Sequence, residues 1–561
     1  MNKFFAAACA ALVLVIFSCE TVKKAQYGPV NYTKDDVRLA EIKRIEGDAG
    51  TNPVRSLWRA WLLKDAVAGD ESIALRDTAA AAQGEALFSR MADLVNAGAL
   101  RAVGEKKYYE ALMYLNALEA VGAPVPSGYT SARVKDLLKE QTAVFARAEE
   151  TAPPPAARSI KGTVTVWLDL GIKVERGMGY ANSALGSGFF IGEQGYIITN
   201  YHVIQSEVDP AYEGFSRLYV KLAGDPDTKI PARVIGWDPL LDLALLKAEV
   251  KAPHVFSLGS SLGLNVGDRV RAIGSPLGLE STITSGIVSS VSRKLLSVAP
   301  VIQIDAAVNS GNSGGPLIDE NGNVQAIVFA GLLQFEGLNF AIPVEYLLLD
   351  LPGFISGGKV EHGWLGGFGH TWRGDSGQGE GVAVQYVMPG SSLAYAGLEA
   401  GDVITAFNGA PALSIETLQN EILKGCANSI ATVQGVKAGG ETFSRPVYLD
   451  ARPDEPVREM VKRDVAAKYF IPTFGMELIP TSTTNKRRYS VKSLIRGGIA
   501  DEAGFSENDP VEVLKTRVVE KKEEESGQSY LYAELYTKKR KNGYLDVNLA
   551  IGAPLDNPYY F

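Results

Sequence analysis

The chain has 561 residues, of which 46% are hydrophobic and 21% charged, and its formal net charge at pH 7 is −8. A chain of this length exceeds what one hydrophobic core supports, so we expect several domains. The negative charge and the lack of a basic tract in the sequence argue against a nucleic acid or an anionic membrane surface as the main partner.

The first residues have the pattern of an export signal. Lys3 precedes an apolar run over 4–17 that is too short to cross a bilayer comfortably. The run ends in IFSC, residues 16–19, which resembles the lipobox of bacterial lipoproteins. The resemblance implies a signal peptide over 1–18, acylation of Cys19 and a lipid-anchored protein of the bacterial cell envelope that faces the periplasm. A plain secretory signal and an uncleaved anchor are the alternatives.

Cysteine usage fits export. The sequence contains Cys9, Cys19 and Cys426. Cleavage removes the first and acylation consumes the second, which leaves Cys426 without a partner for a disulfide. No zinc or redox motif can be assembled from these residues, so we expect neither a metal nor a cofactor.

The N-terminal part of the chain is predicted to be helical. A polar, weakly patterned segment over 19–52 predicts a tether, and residues 53–150 are rich in Ala and Leu at helical spacing. The stretch KYYEALMYLNALEAVGAP, residues 107–124, resembles the second helix of a tetratricopeptide repeat, but a stable array needs about three repeats. A small helical bundle is the alternative, and both stay open. TAPPPAAR, residues 151–158, predicts a proline-rich linker.

After the linker, apolar residues alternate with polar ones. SGFFIG and GYIITN are strand-like runs separated by a turn at 192–195, which is typical of a hairpin. Short strands with glycine-rich turns continue to about Pro343, as expected for a β-sandwich or β-barrels. We therefore place an all-β domain over 159–350.

An internal repeat follows. PGSSLAYAGLEAGDVI, residues 389–404, and RGGIADEAGFSENDPV, residues 496–511, align at a constant offset of 107 positions. The alignment predicts two copies of one module, over 358–452 and 466–556.

The stretch DAAVNSGNSGGPLI, residues 305–318, places three glycines, at 311, 314 and 315, around Ser313. A flexible loop or an anion-binding nest would explain the glycines, and so would a nucleophile whose neighbouring N–H groups face an oxyanion. A serine nucleophile needs a base. His202 directly follows an apolar strand, whereas His254, His362 and His370, in polar or glycine-rich contexts, are predicted to lie at the surface.

An acid that orients the base is also present. Asp242 lies inside the apolar run LLDLALL, where an ionised carboxylate is costly without a hydrogen-bonding partner. An imidazole N–H is a suitable partner, and the acid would then fix the tautomer of the base. Asp238 is the rival candidate, although its position beside Pro239 favours a turn residue.

Six motifs in one order carry a family resemblance. TNYHVI, DLALLK, GSPLGL, TSGIVS, DAAVNSGNSGGPL and GLNFAIP occur in the order and approximate spacing of the HtrA/Deg family of trypsin-like serine proteases, over about 162–349. The resemblance implies a chymotrypsin-like double β-barrel in which His202 is the base, Asp242 orients it and Ser313 is the nucleophile. It further implies an oxyanion hole at Gly311, Asn312 and Ser313.

The resemblance also implies where substrates bind. The primary pocket would be walled by Val308, Val328 and Gly331, and the strands that carry these residues are uncharged, so we expect cleavage after Val, Ala, Leu or Ile. The repeated modules resemble PDZ domains. GWLGGFG, residues 363–369, looks like a carboxylate-binding loop, whose residues would be Trp364, Leu365, Gly366 and Gly367. The second copy diverges, with Pro510 at an expected apolar position and an inserted EKKEEESG.

The expected architecture is multidomain. It combines an all-α N-terminal region, a chymotrypsin-like double β-barrel protease domain and two C-terminal PDZ-like α+β domains. The expected function is a lipid-anchored envelope serine endopeptidase that degrades unfolded or damaged proteins and binds peptide C-termini through its PDZ domains. A non-proteolytic chaperone or scaffold and a site-specific signalling protease are the alternatives. The family resemblance also implies a homo-oligomer built on trimers.

Overall fold

The computed structural model describes most of the chain. The described residues are Tyr32, 34–69, 78–145, 156–175, 177–275, 282–294, 298–309, 311–331, 338–373, 379–484, 487–519, 529–539 and 545–561. The predicted signal peptide, Cys19, residues 151–155 of the predicted linker and the EKKEEESG stretch lie outside them. Within these ranges, none of the helices has the length and hydropathy that crossing a membrane requires.

Among the described residues of the N-terminal region, five α-helices enclose one apolar core. They are α1 (Asp35–Asp48), α2 (Pro53–Gly69), α3 (Thr78–Gly104), α4 (Tyr108–Ala120) and α5 (Ser131–Thr142). Helix α1 differs from the predicted tether over 19–52. It buries Ile45 and also the charged Arg38 and Glu41, and Glu41 lies 3.6 Å from the Arg59 guanidinium of α2. Because charged residues occupy much of its buried face, α1 has no apolar periodicity that would predict a packed helix.

The predicted protease domain begins after a short helix, α6 (Ala156–Lys161), which includes the last residues of the predicted linker. Its first barrel contains β1 (Thr163–Glu175), β2 (Met178–Gly192), β3 (Tyr196–Thr199), β4 (Arg217–Leu222), β5 (Asp225–Asp238) and β6 (Leu243–Ala248). The strand order is β5-β4-β1-β2-β3-β6, and the pairing of β5 with β6 closes the sheet. Helix α7 (Tyr201–Val208) follows β3 directly.

A second closed barrel follows the first. It contains β7 (Arg269–Gly274), β8 (Thr282–Lys294), β9 (Pro300–Ile304), β10 (Pro316–Ile318), β11 (Val324–Gly331) and β12 (Asn339–Pro343), in the order β10-β11-β12-β9-β8-β7. Helix α8 (Val344–Ser356) packs its apolar face against both barrels. Two six-stranded barrels are the architecture that the HtrA/Deg resemblance implies.

The first C-terminal module is an antiparallel sheet with two helices. Strand β13 (Gly358–Lys359) precedes this sheet, whose strands are β14 (Gly363–Trp364), β15 (Gly367–Arg373), β16 (Gly379–Val387), β17 (Val403–Phe407), β18 (Ala410–Pro411), β19 (Ser429–Val436) and β20 (Thr442–Ala451). The helices are α9 (Ser392–Tyr395) and α10 (Ile415–Leu423). Strand β13 pairs in parallel with β5 and so attaches the module to the first barrel.

The second C-terminal module is a five-stranded antiparallel sheet, β21 (Met476–Pro480), β22 (Arg488–Leu494), β23 (Pro510–Val519), β24 (Tyr530–Lys539) and β25 (Leu545–Pro554). Its helices are α11 (Pro456–Arg463), α12 (Ala466–Phe474) and α13 (Ile499–Glu502). Helix α11 contributes Val457 and Met460 to the core, so the module begins before the predicted boundary at 466. Pro510 is the first residue of β23, a strand position that tolerates proline.

The N-terminal helices dock on the first C-terminal module. The Trp58 indole N–H of α2 donates to the Pro446 carbonyl at 2.8 Å, and its ring stacks on Tyr448 with centroids 5.9 Å apart. Arg55 pairs with Asp450 at 2.7 Å, and Arg445 pairs with Asp65 at 2.9 Å. The helical region is therefore part of the packed structure and covers the β19–β20 part of the sheet.

Candidate active site and peptide groove

The three predicted catalytic residues come from three neighbouring segments. Strand β3 and Asn200 lead into α7, which carries His202 in its first turn. Asp242 lies in the turn between β5 and β6, and Ser313 lies in the loop before β10. The loops meet closely, since a Cβ added to Gly314 would lie 3.0 Å from the backbone nitrogen of Asn200.

Asp242 binds His202 through both carboxylate oxygens. Oδ2 accepts from the His202 Nδ1–H at 2.7 Å, and Oδ1 accepts from the His202 backbone N–H at 2.8 Å. Asn200 fixes the acid from the other side, because its Nδ2 donates to the Asp242 carbonyl at 2.8 Å. Asp242 has φ of 56°, a conformation that Asp tolerates better than most residues. The geometry leaves His202 Nε2 as the basic nitrogen.

The charge state of His202 depends on this contact. Burial lowers the pKa of the imidazole, but the charge of Asp242 and its hydrogen bond outweigh burial and raise the pKa above its usual 6.5. Asp242 therefore makes His202 a stronger base than a free histidine and stabilises the imidazolium form.

Ser313 has a different hydrogen-bond partner from the one that the triad needs. Its hydroxyl donates to the Phe329 carbonyl of β11 at 3.2 Å instead of to His202. Catalytic hydrogen bonds are often unformed before substrate binds, so this arrangement does not remove Ser313 as a candidate. His202 can take the proton only after the Ser313 hydroxyl exchanges the Phe329 carbonyl for His202 Nε2 as its hydrogen-bond partner.

The glycines around Ser313 have identifiable reasons. Gly311 has φ of 102° and Gly314 has φ of 87°, both in the region that favours glycine. A Cβ on Gly314 would lie 2.2 Å from the Ser187 carbonyl, and one on Gly315 would lie 2.1 Å from the Ile273 carbonyl. The loop is thus wedged between a strand of each barrel, which fixes Ser313 at the interface of the two.

The predicted oxyanion donors divide into two groups. The backbone N–H of Asn312 donates to the Asn309 carbonyl at 3.0 Å, so the prediction that Asn312 belongs to the oxyanion hole is wrong for this structure. The Asn312 N–H is used in a hydrogen bond within the turn around Gly311 and is not free to bind an oxyanion. The N–H groups of Gly311 and Ser313 have no protein acceptor among the described residues, which leaves both able to bind an oxyanion.

The three residues that were predicted to wall the substrate pocket lie in different surroundings. Val308 is partly buried at the edge of the second barrel. Val328 is completely buried inside that barrel, so it does not line an open pocket and this prediction is wrong for this structure. It was misplaced because an alternating strand pattern does not say which face of a barrel strand points inward. Gly331 ends β11, next to residues 332–337 that lie outside the described part of the chain.

Two histidines that were predicted to lie at the surface are buried. His254 lies 5.0 Å from Phe256, ring to ring. The Nε2–H of His362 donates to Asp238 Oδ2 at 2.6 Å, and Asp238 Oδ1 also accepts from the Leu240 N–H at 2.7 Å. Asp238 is therefore the last residue of β5, where its side chain accepts from the turn that follows, and it also joins the first barrel to the first C-terminal module.

The same contact belongs to a group with metal-ligand chemistry. Ligand atoms of Asp238, Asp350 and His362 lie within 4.8 Å of one another, and all three residues are buried. Burial and the charge of Asp238 raise the pKa of Asp350 well above its usual range, whereas His362 holds the pKa of Asp238 low in spite of its burial. Burial and the neighbouring carboxylate therefore favour the protonated form of Asp350, and its buried Oδ2 has no hydrogen-bond partner among the described residues.

The predicted carboxylate-binding loop contacts the other end of the same chain. The backbone N–H groups of Gly366 and Gly367 donate to the Phe561 oxygen at 3.0 and 2.9 Å. Leu365 is completely buried in the module core, and Trp364 is 2% exposed beside Tyr560. Sequence reasoning missed Phe561. The one local signal was the aromatic run Tyr559-Tyr560-Phe561 behind a proline.

Profiles of known domain families match four parts of the chain. A trypsin-like peptidase domain matches residues 186–327 and a PDZ domain matches residues 384–439. The TP0546 family PDZ domain matches residues 457–555, and a domain of unknown function matches residues 36–138.

Curated relatives match the protease region and beyond. A protein of Pseudomonas savastanoi pv. phaseolicola named probable periplasmic serine endoprotease DegP-like is 32% identical over 352 residues, which is 60% of this chain and 71% of that protein. A protein of the same name from Marinomonas sp. is 36% identical over 286 residues, 49% of this chain and 58% of its own length. The solved structure titled HtrA-type protease AlgW with decapeptide aligns with 27% identity and a TM-score of 0.45, covering 53% of this chain and 97% of that one.

Proposed function

Because the chain belongs to the HtrA/Deg family of serine proteases with C-terminal PDZ domains, we propose that it is a serine endopeptidase of the bacterial cell envelope. The observation that carries the proposal is the double hydrogen bond from His202 to Asp242, at 2.7 and 2.8 Å, beside the Ser313 loop. That bond fixes the imidazole with Nδ1 protonated and Nε2 as the base, which is the tautomer that an acyl-transfer triad requires.

The proposed reaction passes through an acyl-enzyme. The Ser313 hydroxyl leaves Phe329, gives its proton to His202 Nε2 and attacks the substrate carbonyl carbon. The N–H groups of Gly311 and Ser313 bind the resulting oxyanion. His202 then protonates the leaving amine, and the C–N bond breaks. A water molecule, deprotonated by His202, hydrolyses the ester and regenerates Ser313.

The proposed substrates are unfolded or damaged proteins. Support comes from the uncharged strands that flank the Ser313 loop, with Val308 and Gly331 as the remaining candidates for the pocket wall. An uncharged pocket accepts Val, Ala, Leu or Ile, and these side chains are buried in folded proteins. Access to the substrate would then depend on its being unfolded. The PDZ domains bind extended peptides that end in a free carboxylate, and the enzyme assembles as a trimer-based homo-oligomer.

Digestion of an unfolded protein tests this proposal. Casein should be degraded by the wild-type protein and left intact by the matched variant Ser313→Ala, which removes one oxygen atom. Terminal sequencing of the fragments should show apolar residues before most cleaved bonds. Cleavage mainly after Lys or Arg would contradict the pocket, and a single cleavage in one substrate of a cell-envelope extract would favour a site-specific signalling protease.

The second candidate function is a non-proteolytic chaperone or scaffold. It is favoured by one observation, the hydrogen bond from the Ser313 hydroxyl to Phe329. A protein whose serine never turns to His202 would bind clients without cutting them. Full suppression of casein aggregation by both wild-type protein and Ser313→Ala, without cleavage by either, would select this candidate.

The proposed location depends on Cys19. Acylation there anchors the protein to a membrane of the envelope with the folded domains on the periplasmic side. Mass spectrometry of the mature protein should find a lipid-modified N-terminal cysteine, and Cys19→Ala should abolish the modification. Wild-type protein that carries no acyl group would contradict the anchor while leaving the enzymatic proposal untouched.

A further inference from the structure

The last residues of the chain form an extra strand on the first C-terminal module. The Phe561 N–H donates to the Gly367 carbonyl at 3.0 Å, and the Gly369 N–H donates to the Tyr559 carbonyl at 3.2 Å. Tyr560 pairs with Phe368 of β15 in antiparallel register. The segment 557–561 therefore extends the sheet beyond β15, which is its edge strand. Addition of an extended segment to a sheet edge is how PDZ-type grooves hold peptides.

The end of this strand is bound by a cup of backbone donors. Both N–H groups of Gly366 and Gly367 converge on one Phe561 oxygen. Gly366 has φ of 82°, and a Cβ on Gly367 would lie 2.5 Å from the Phe561 ring. The cup is thus shaped for a peptide end that lies directly against backbone.

Each of the three aromatic side chains fills a separate place. Phe561 is 2% exposed and lies in the core of the first module with Leu365, Leu393 and Ile422. Tyr560 is completely buried against the second module, where its hydroxyl donates to the Pro472 carbonyl at 2.9 Å. Tyr559 stacks on His370 with ring centroids 4.3 Å apart.

Helix α10 forms the other wall of the groove. Its Gln419 side-chain amide donates to the Tyr560 carbonyl at 2.8 Å and to the Pro558 carbonyl at 3.1 Å. A capping box at Ser414 and Thr417 fixes the start of the helix. The segment therefore has hydrogen bonds to β15 on one side and to α10 on the other, as a bound peptide ligand would.

We propose that residues 557–561 are an intramolecular ligand of the first C-terminal module, which closes its groove to other peptides until a competing peptide displaces them. The competing peptide is an extended segment with an aromatic side chain at the position that Phe561 occupies, and the peptide-binding role proposed above adds a free carboxylate. The proposal rests on the peptide-binding role proposed above for this module and adds its resident occupant and its specificity.

Attachment to the same chain makes the segment a strong competitor. A ligand on a short tether has an effective concentration on the order of millimolar. A free peptide of equal intrinsic affinity then binds about 10²–10³-fold more weakly to the closed groove than to an open one. Removal of the Phe561 ring should expose the groove, because that side chain fills the deepest part of it.

Peptide binding to the full chain tests the proposal. The probe is a fluorescent DNPYYF peptide with a free carboxylate, and all proteins carry Ser313→Ala so that proteolysis plays no part. Phe561→Ala should bind the probe at least tenfold more tightly than the Ser313→Ala parent. Tyr536→Ala, which removes a half-buried tyrosine of β24 that pairs with β23 and β25 of the second module, is the matched control and should bind like the parent. The amidated probe and a probe ending in Ala should bind weakly to every protein.

A second measurement uses the Ser313→Ala parent alone, so it does not depend on the folding of Phe561→Ala. Excess DNPYYF peptide should speed hydrogen exchange at the backbone amides of 557–561 and leave exchange in β24 unchanged. Tight binding of the probe by the parent, or equal binding by parent and a folded Phe561→Ala, would overturn the intramolecular ligand while leaving the peptide-binding role intact. Failure of every protein to bind the probe would overturn the peptide-binding role and the inference together. The proposed protease activity is tested separately, by the digestion of casein with wild-type protein, and does not depend on these results.

Discussion

The Ser313 loop and the groove of the first C-terminal module share one feature, a pair of backbone N–H donors, but the two pairs differ in what they bind. Each presents two backbone N–H groups beside a glycine with positive φ, Gly311 at 102° and Gly366 at 82°. The groove donors bind the Phe561 oxygen at 2.9 and 3.0 Å, whereas the N–H groups of Gly311 and Ser313 have no protein acceptor within the described ranges. A pair of donors that holds an oxygen of the chain itself stabilises a bound segment. A pair of donors that is left open can instead stabilise the oxyanion of a transition state, which is what catalysis requires.

The largest expected effect separates catalysis from peptide binding. Asp242→Asn should lower kcat by about 10⁴-fold, because an amide cannot hold His202 in the required tautomer. Binding of the DNPYYF probe should not change, since the hydrogen bonds of Asp242 are to Asn200 and His202 of the protease domain. Steady-state cleavage of a peptide substrate measures the loss in kcat, and fluorescence polarisation measures binding of the probe. Parallel losses of cleavage and binding would mean that the two sites are not independent.

A pair of glycine substitutions compares the two donor cups directly. Gly311→Ala places a side chain at positive φ and should lower turnover by about 10²–10³-fold, the typical effect of losing one oxyanion donor. Gly366→Ala puts a Cβ 2.2 Å from that of Ser391, so it should release residues 557–561 and change hydrogen exchange there without abolishing cleavage of a short peptide. Loss of cleavage in a Gly366→Ala variant that is folded, as shown by cooperative melting, would contradict the separate roles of the two pairs of donors.

The pH dependence of catalysis depends on the Asp242 contact. His202 must be neutral to act as a base, and its pKa is raised above 6.5, so kcat/KM should rise with pH and reach half of its maximum above 6.5. Residual activity of Asp242→Asn should show this midpoint at lower pH, because the carboxylate charge that raises the pKa is gone. A wild-type midpoint below 6.5 would contradict the assigned geometry.

The smallest expected effect concerns the contact between the groove and the second barrel. Lys294 of β8 pairs with Glu416 of α10 and lies 5.7 Å from the centre of the Tyr559 ring. The ion pair is largely exposed, so Lys294→Ala should lower the unfolding free energy by about 0.2–1 kcal/mol. Chemical denaturation measures this value. A loss several times larger would show that the protease domain holds the groove segment in place.

The sequence predicted the contact between His202 and Asp242, because a serine nucleophile requires a base and an acid that orients it. The role of Ser313 stays a prediction, which rests on its glycine-rich loop and on the order of the family motifs. The repeat was also visible locally. Helix α13 follows α9 at the same offset of 107 positions, and Asp402 and Asp509 each accept the N–H three residues before them at 2.9 Å.

The contacts that were missed join distant parts of the chain. Phe561 meets Gly366 across almost two hundred residues, and His362 meets Asp238 across 124, and neither segment has a local pattern that predicts its partner. The two modules also differ at the position of the helix that forms one wall of the peptide groove. In the first, α10 and β18 lie between β17 and β19, whereas no helix is found among the described residues between β23 and β24. In the part of the second module that the structure describes, the groove wall of the first module therefore has no counterpart.

The most direct test of the enzymatic proposal is reaction with a fluorophosphonate probe, which labels serines that a neighbouring base has activated. The wild-type protein should be labelled at Ser313, as located by mass spectrometry, and His202→Ala should lose this labelling while keeping the same melting temperature within a few degrees. A folded wild-type protein that is not labelled at Ser313, or a His202→Ala variant labelled as fast as the wild type, would contradict the account.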